Sequence, residues 1–279
     1  NNQLTPLRGK PQIQFTQNWP RLDGATAAYP IYASAFYALS VIPEDFHVWD
    51  YLDNSRTQEA YNKIVNGDAD IIFVAQPSDG QKKRAEKSGV TLLYTPFARE
   101  AFVFIVNADN PVNSLTEQQV RDIFSGAITN WRAVGGDDQE IQTWQRPEDS
   151  GSQTVMLSQV MKNVRMISPQ ETEVASVMEG MINVVAEYRN TKNAIGYTFR
   201  YYATQMNADK NIKLLAINGI APTAENIRND KYPYIVDALM VTRENTTSET
   251  QKLVEWFLTP QGQSLVEDVG YVPMDKTLH

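Results

Sequence analysis

The sequence predicts an α/β fold with mainly parallel sheets, and three observations predict it. Short apolar runs alternate with stretches of helical periodicity along the chain. Two of those runs, Ala69–Ala75 (ADIIFVA) and Ala101–Val106 (AFVFIV), are almost continuously apolar, the mark of strands covered on both faces. The 279 residues are 42% hydrophobic and 21% charged, an ordinary globular composition with chain enough for roughly two domains of ~150 residues.

Taken in order, Gln12–Phe15 reads as a strand, and a turn at Leu22–Thr26 leads to a helix from Pro30 to Leu39. Gly24–Pro43 is uncharged for twenty residues, which touches the length of a membrane span. Its hydroxyls (Thr26, Ser34, Ser40), three tyrosines and Pro30 favour instead a small-residue helix buried between layers. Val48–Tyr51 is a second strand candidate. The helix Thr57–Val65 closes at Asn66-Gly67, a C-terminal stop. After the ADIIFVA strand come a helix at Gln81–Lys87 and strands at Val90–Tyr94 and Ala101–Val106. The next half begins with an amphipathic helix, Thr116–Phe124, with Thr116 as its N-cap. A strand at Ile141–Trp144 follows, then a helix Ser150–Met161 burying Val155, Leu157, Val160 and Met161, and a long helix Val174–Tyr188. Strands are expected at Ala194–Tyr197, Ile212–Ile217 and Tyr234–Val241. The last helices are Glu249–Leu258, stopped by Pro260, and Gln263–Val269, stopped by Gly270.

Composition excludes several function classes. Lys plus Arg minus Asp plus Glu is 25 − 33 = −8, a sign that repels nucleic acid, and the one basic cluster, Lys82-Lys83-Arg84, is offset by Glu86. With no cysteine and two histidines, cysteine/histidine zinc sites and thiol nucleophiles are closed. A Ser-His-Asp triad would have to use His47, which reads as a half-buried histidine on a strand. Asn1–Thr5 has neither the basic start nor the apolar core of a signal peptide, while the lack of cysteine fits an exported protein whose compartment has no disulfide machinery.

Two turns join a strand to a helix through small residues. Asp23-Gly24-Ala25-Thr26-Ala27 has little side-chain bulk, so several backbone N–H groups could face one point at a helix start. Gln145–Gln153 adds the guanidinium of Arg146 to the same arrangement. Unpaired donors at helix starts suit a tetrahedral oxyanion. A Ser or Thr before a helix is more often a plain cap, and neither turn matches the nucleotide loop GxxxxGK[ST].

The stretch Asn110–Trp131, containing LTEQQVRDIFSGAITNW and followed by Gly135-Gly136, closely resembles the phosphate-binding (PstS-like) substrate-binding proteins of ABC transporters. Asp23–Pro30, Ala69-Asp70-Ile71, Gln145–Gln153, Ala194–Tyr197 and Gly262-Gln263…Gly270-Tyr271-Val272-Pro273 recur in that family's order and spacing. The resemblance implies a periplasmic-binding-protein fold of the second type. In it two α/β lobes with mixed, mainly parallel sheets are joined by two hinge crossovers, and ligand is clamped by closure. Lobe I would be 1–99 and 235–279, and lobe II 100–234, with crossings near Phe97–Glu100 and Pro233-Tyr234.

By the same resemblance the anion is inorganic phosphate, held with no metal or cofactor, and the partner is a membrane permease. The protein would be a monomer that binds no nucleic acid and acts outside the cytoplasm, as a cell-surface lipoprotein or periplasmic protein. The implied ligand residues are Ala25 and Thr26 on the first loop, Thr57, Arg146, Glu148, Ser150, Gly151 and Ser152. Thr57 is placed by counting back from Ala69-Asp70-Ile71, because Asn54-Ser55-Arg56-Thr57 stands where the family has a GSG turn. Some members have a second carboxylate after the ADI strand, where this chain has Ala75-Gln76-Pro77. Glu148 is then the expected acceptor of the phosphate proton, with Asp23 as its substitute if that side chain turns inward. A phosphate-ester enzyme would want a metal cluster or an activated nucleophile, which the sequence does not offer. An oxyanion sensor or surface protein with the same fold is the alternative, since fold does not fix function.

Overall fold

The computed structural model describes residues 4–169, 174–175, 181–183, 185, 192–206 and 211–274. The chain forms two compact units, Asn1–Arg99 with Asp237–His279, and Glu100–Val236.

The first unit opens with β1 (Leu22–Gly24) and, after a 3₁₀ turn at Thr26–Ala28, α1 (Tyr29–Leu39). Ile31, Tyr32, Ala33, Ala35, Phe36 and Leu39 are all buried, so the uncharged segment is a core helix. Gln12–Phe15 makes only an isolated bridge, Phe15 to Ser40. Val48–Asp50 is a 3₁₀ turn rather than a strand, because the Tyr51 amide bonds locally to the Val48 carbonyl (2.9 Å). His47 occupies the position before that turn, makes no side-chain cap bond, and is exposed rather than half-buried on a strand. α2 (Arg56–Asn66) ends at Gly67, whose φ of 87° lies in the left-handed region that glycine tolerates. β2 (Ile71–Val74) follows, then α3 (Asp79–Lys87), which starts from a Ser78–Gln81 capping box. β3 (Leu92–Asn107) fuses the two strands expected at 90–94 and 101–106. Pro96 does not interrupt it, since proline's fixed φ suits extended backbone.

In the second unit β4 (Ser114–Leu115) precedes α4 (Glu117–Ser125). Thr116 and Gln119 form its capping box and Gly126, at φ 86°, ends it. β5 (Gln142–Thr143) leads to α5 (Gly151–Val155), which widens into a π-helical stretch at Met156–Met161. The i→i+5 winding changes which residues face inward: Met156 is buried, whereas Leu157, expected in the core, is 44% exposed. The helix expected over 174–188 falls mostly outside the described residues; at its expected start Val174 instead makes a parallel bridge to Gln145, while Met181, Ile182 and Val185 are helical and buried. β6 (Ala194–Phe199) is followed by β7 (Ile212–Leu214) and β8 (Ala216–Ile217). These last two were expected as one strand. They separate because β7 pairs with β3 and β8 with β4. α6 (Ala224–Arg228), capped by Thr223, was not foreseen. β9 (Ile235–Arg243) returns the chain to the first unit. There α7 (Ser248–Phe257), α8 (Pro260–Val269) and β10 (Val272–Pro273) complete it. Pro260, expected to stop α7, is the first residue of α8, the helical position where a missing N–H costs nothing.

The sheets are mixed rather than mainly parallel as expected, with antiparallel pairings in the majority among those described. In the first unit β1 lies parallel to β2 (Leu22 opposite Ile71), β2 antiparallel to β9 (Ile71 opposite Thr242), and β10 antiparallel to β3. In the second, β3 is antiparallel to β6 and β7, while β5 and β6 are parallel. The antiparallel neighbours all involve the long strands β3 and β9, whose direction an apolar run cannot reveal. One core forms where α2, α3 and β2 meet: Ala60, Tyr61, Ile64, Val65, Ile72, Val74 and Ala85. In the second unit the rings of Phe102, Phe104, Phe124 and Tyr197 pack edge to face or tilted, with centroids 5.5–6.3 Å apart. Among the described residues no helix is long and apolar enough to cross a membrane.

Candidate functional site

In the first unit the turn after β1 carries Ala25 and Thr26. Gly24 is required there by close approach, because a Cβ would stand 2.4 Å from the Phe73 carbonyl oxygen. That approach lets the Ala25 amide donate to Phe73 (2.9 Å), so Ala25, expected to offer its N–H to the anion, spends it on the sheet. The donors that remain are those of Thr26 and Ala27, the opening residues of a helical turn whose cap position has no side-chain bond. The carbonyl of Ala27 accepts from the Tyr271 hydroxyl (2.7 Å), so the Gly270–Pro273 motif holds this turn from behind. Asp70 of the ADI motif is likewise structural, pairing with Arg21 through its side chain and backbone.

Thr57 is the second residue of α2 and half-buried. The polar work of its loop falls to Ser55, which sequence reasoning passed over. Ser55 donates its amide (2.8 Å) and hydroxyl (2.6 Å) to Asp23, whose carboxylate also accepts from the Gly24 amide (2.7 Å) and Lys63 (3.0 Å). Asp23 is only 1% exposed and is engaged by these donors, so its acceptor capacity is directed into the fold. Ser55-Arg56-Thr57-Gln58 has the spacing of a capping box, yet Ser55 makes no cap bond. The buried carboxylate takes its hydroxyl instead. Burial alone would lower Lys63, but its bonds to Asp53 and Asp23 outweigh that and raise it; the bond to Lys63 holds Asp53 below the usual carboxylate range.

In the second unit Arg146 is buried. Its Nε donates to the Ser152 hydroxyl (3.3 Å), its Nη1 to the Ala175 carbonyl (2.8 Å), and its amide meets the Gln153 side chain (3.3 Å) and the Tyr197 hydroxyl (3.1 Å). Tyr197 also donates to the Gln153 side-chain oxygen. Burial pushes the Tyr197 phenol up, so it stays a neutral donor. Ser150 caps α5 by accepting from the Gln153 amide (3.2 Å), which leaves its own O–H available to donate. Gly151 and Ser152 are buried in the first turn. Glu148 is exposed, so the buried acceptor expected of it is not formed within this unit. Thus Arg146, Ser150, Gly151 and Ser152 are brought together, with Glu148 nearby in sequence but outside their network. Gln153 and Tyr197 were missed as site residues. Tyr197 stood in the Ala194–Tyr197 motif, but nothing in the sequence ties it to a residue 51 positions earlier.

The specific Asn110–Trp131 stretch turns out to be scaffold. Phe124 of α4 lies 5.6 Å ring to ring from Tyr197, and the Trp131 indole donates to the Asn193 carbonyl (2.8 Å) just before β6. That packing positions the phenol on which the backbone of Arg146 rests.

The phosphate-binding protein PstS of Borreliella burgdorferi is 26% identical over 183 residues, covering 64% of this chain and 64% of that protein. PstS of Bacillus subtilis is 29% identical over 171 residues, covering 61% and 53%. The alignments thus span less than two thirds of the length of these curated relatives. The phosphate-bound crystal structure of a candidate phosphate ABC transporter substrate-binding protein from Clostridium perfringens has a TM-score of 0.70. It is 22% identical, and the match covers 92% of this chain and all of that one. An ABC-type phosphate transport receptor from Vibrio cholerae has a TM-score of 0.64 at 21% identity, covering 91% and 99%. These likenesses establish the α/β fold. The family model described as a PBP superfamily domain matches residues 17–261, and the chain therefore belongs to the PBP superfamily.

Proposed function

We propose that this protein captures inorganic phosphate outside the cytoplasm and delivers it to the membrane permease of an ABC transporter, acting as a monomeric carrier rather than an enzyme. The observation that carries this reading is the buried Arg146, set by Ser152 and Ala175 beside the Ser150–Ser152 helix start. A planar guanidinium next to hydroxyls and first-turn amides suits a tetrahedral oxyanion. The names of the curated relatives support phosphate as that anion. In this reading Thr26 and Thr57 supply the first unit's contacts, Arg146, Ser150, Gly151 and Ser152 the second's, and the two units close on the ligand.

Phosphate at neutral pH retains a proton and can donate a hydrogen bond, which sulfate cannot, so a carboxylate facing the ligand accepts from one and repels the other. Glu148 is proposed for that acceptor. The test is to strip the protein in denaturant, refold it, and titrate phosphate with sulfate as control. Saturable binding at one site per chain is expected without metal, at micromolar affinity or tighter, about −8 kcal/mol or better. No heat and no melting shift at millimolar phosphate would overturn the function. In the same titration Glu148→Gln should narrow the preference over sulfate. A wild type that takes sulfate as readily as phosphate removes the proton-reading role.

A further inference from the structure

Asp23 is an acidic residue buried beside the turn proposed to hold an anion, an arrangement that would oppose binding if its charge faced the ligand. Its contacts show where the charge goes. The carboxylate gathers donors from three places in the sequence: the Gly24 amide at the end of β1, the amide and hydroxyl of Ser55 before α2, and the Lys63 ammonium within α2. Lys63 is shared with Asp53, on the same loop as Ser55, and the Asp53 side chain also accepts from the Asn54 amide (2.7 Å). The Asp53 carbonyl in turn accepts from the Tyr32 hydroxyl of α1 (2.7 Å). A single side chain therefore ties the Gly24–Thr26 turn to the Asn54–Thr57 loop.

We propose that Asp23 is the positioning residue of the first unit's part of the anion site, locking the turn that carries Thr26 and the loop that carries Thr57 into one arrangement, with Lys63 compensating its charge. The inference rests on the phosphate reading for its ligand but not for its geometry. Two physical points favour it. A carboxylate that accepts several hydrogen bonds restricts all the donors at once, so it orders both segments before any ligand arrives, and preorganised donors bind anions better than mobile ones. Arg56, between Ser55 and Thr57, sits at φ 73°, a left-handed backbone that a non-glycine residue adopts only where its surroundings impose it. The Ser55–Asp23 bonds anchor the residue immediately before it.

The test compares wild type with Asp23→Ala, and uses Asp23→Asn if the alanine variant does not fold. Asparagine keeps one acceptor oxygen but presents an amide NH₂ in place of the other. Amide hydrogen exchange is read on residues 24–26 and 54–57, with α7 of the same unit as internal control. Both segments should exchange faster in the variant while α7 is unchanged, and phosphate affinity measured well below the melting temperature should fall about tenfold or more. Unchanged exchange in both segments of a folded variant overturns the proposal, as does a lowered melting temperature with unchanged affinity, the result of a merely structural role. Tighter phosphate binding in either variant would mean that Asp23 acts through charge repulsion, and overturns it too. If neither variant folds, Asp23 is a folding residue and the proposal fails. If wild type binds no phosphate, the phosphate reading falls, and the exchange comparison alone decides the positioning role.

Discussion

Arg146 is a buried guanidinium, and a charge removed from water must find partners or cost several kcal/mol. Its Nε and Nη1 contacts, Ser152 and Ala175, fix the plane of the group before a ligand arrives. In the proposed site, truncation to alanine would leave the anion without its cation. Arg146→Ala is therefore expected to weaken phosphate binding by roughly 2–5 kcal/mol, measured by calorimetry, whereas a loss below about 0.5 kcal/mol would place the arginine outside the site. The residue was legible in the sequence because Arg-Pro-Glu-Asp-Ser-Gly-Ser sits in one turn. What holds it was not, since Tyr197 and Ala175 reach it from distant parts of the chain.

Among the elements, α4 shows how local chemistry and packing divide the work. Thr116 and Gln119 satisfy the opening amides, Gly126 ends the helix, and Val120, Ile123 and Phe124 bury its inner face. Thr116→Ala should lower the stability of the protein by about 1 kcal/mol in denaturant unfolding while leaving phosphate affinity unchanged, because a cap acts on its own helix. A larger change in affinity than in stability would show that α4 is coupled to the site more tightly than through the Phe124–Tyr197 contact. Caps and stops of this kind were readable from neighbouring residues, as at Thr116 and Gly67. Strand partners were not: Val48–Tyr51 looks apolar enough for a strand, but the Tyr51 and Leu52 amides bond back to Val48, and only the Tyr51 carbonyl reaches a strand, accepting from Leu22.

For the whole molecule, the passage between the units runs along β3, and Glu100, the first residue of the second unit on that strand, is buried. Burial pushes its carboxyl up to about 7, against bonds from the Ala101 and Tyr201 amides and the nearby charge of Arg200 that favour ionisation. The unfolded chain ionises this group near 4.5, so between pH 4.5 and about 7 the folded state holds more protons. Its contribution to stability is complete below pH 4.5 and is lost as pH rises through about 7, a change of ~3 kcal/mol. Glu100→Gln should flatten that part of the pH–stability curve; an identical slope in the variant would show that Glu100 titrates normally. The proposed closure belongs to this scale as well. Small-angle scattering should show a smaller radius of gyration with saturating phosphate than without, driven by the closed state's higher affinity, and an unchanged profile counts against closure on binding.

The sequence by itself determined the α/β class, most helix ends and the two small-residue turns at helix starts, because each depends on residues a few positions apart: apolar period, capping side chains, a glycine where φ is positive. It also placed Arg146 beside Ser150–Ser152, which share one turn. Only the tertiary structure decided that Ala25 spends its amide on Phe73, that Asp23 faces Ser55 and Lys63, and that Gln153 and Tyr197 support Arg146. Each of those outcomes is a competition for hydrogen-bond partners among groups far apart in the chain, and proximity in space, absent from the linear order, decides which partner wins.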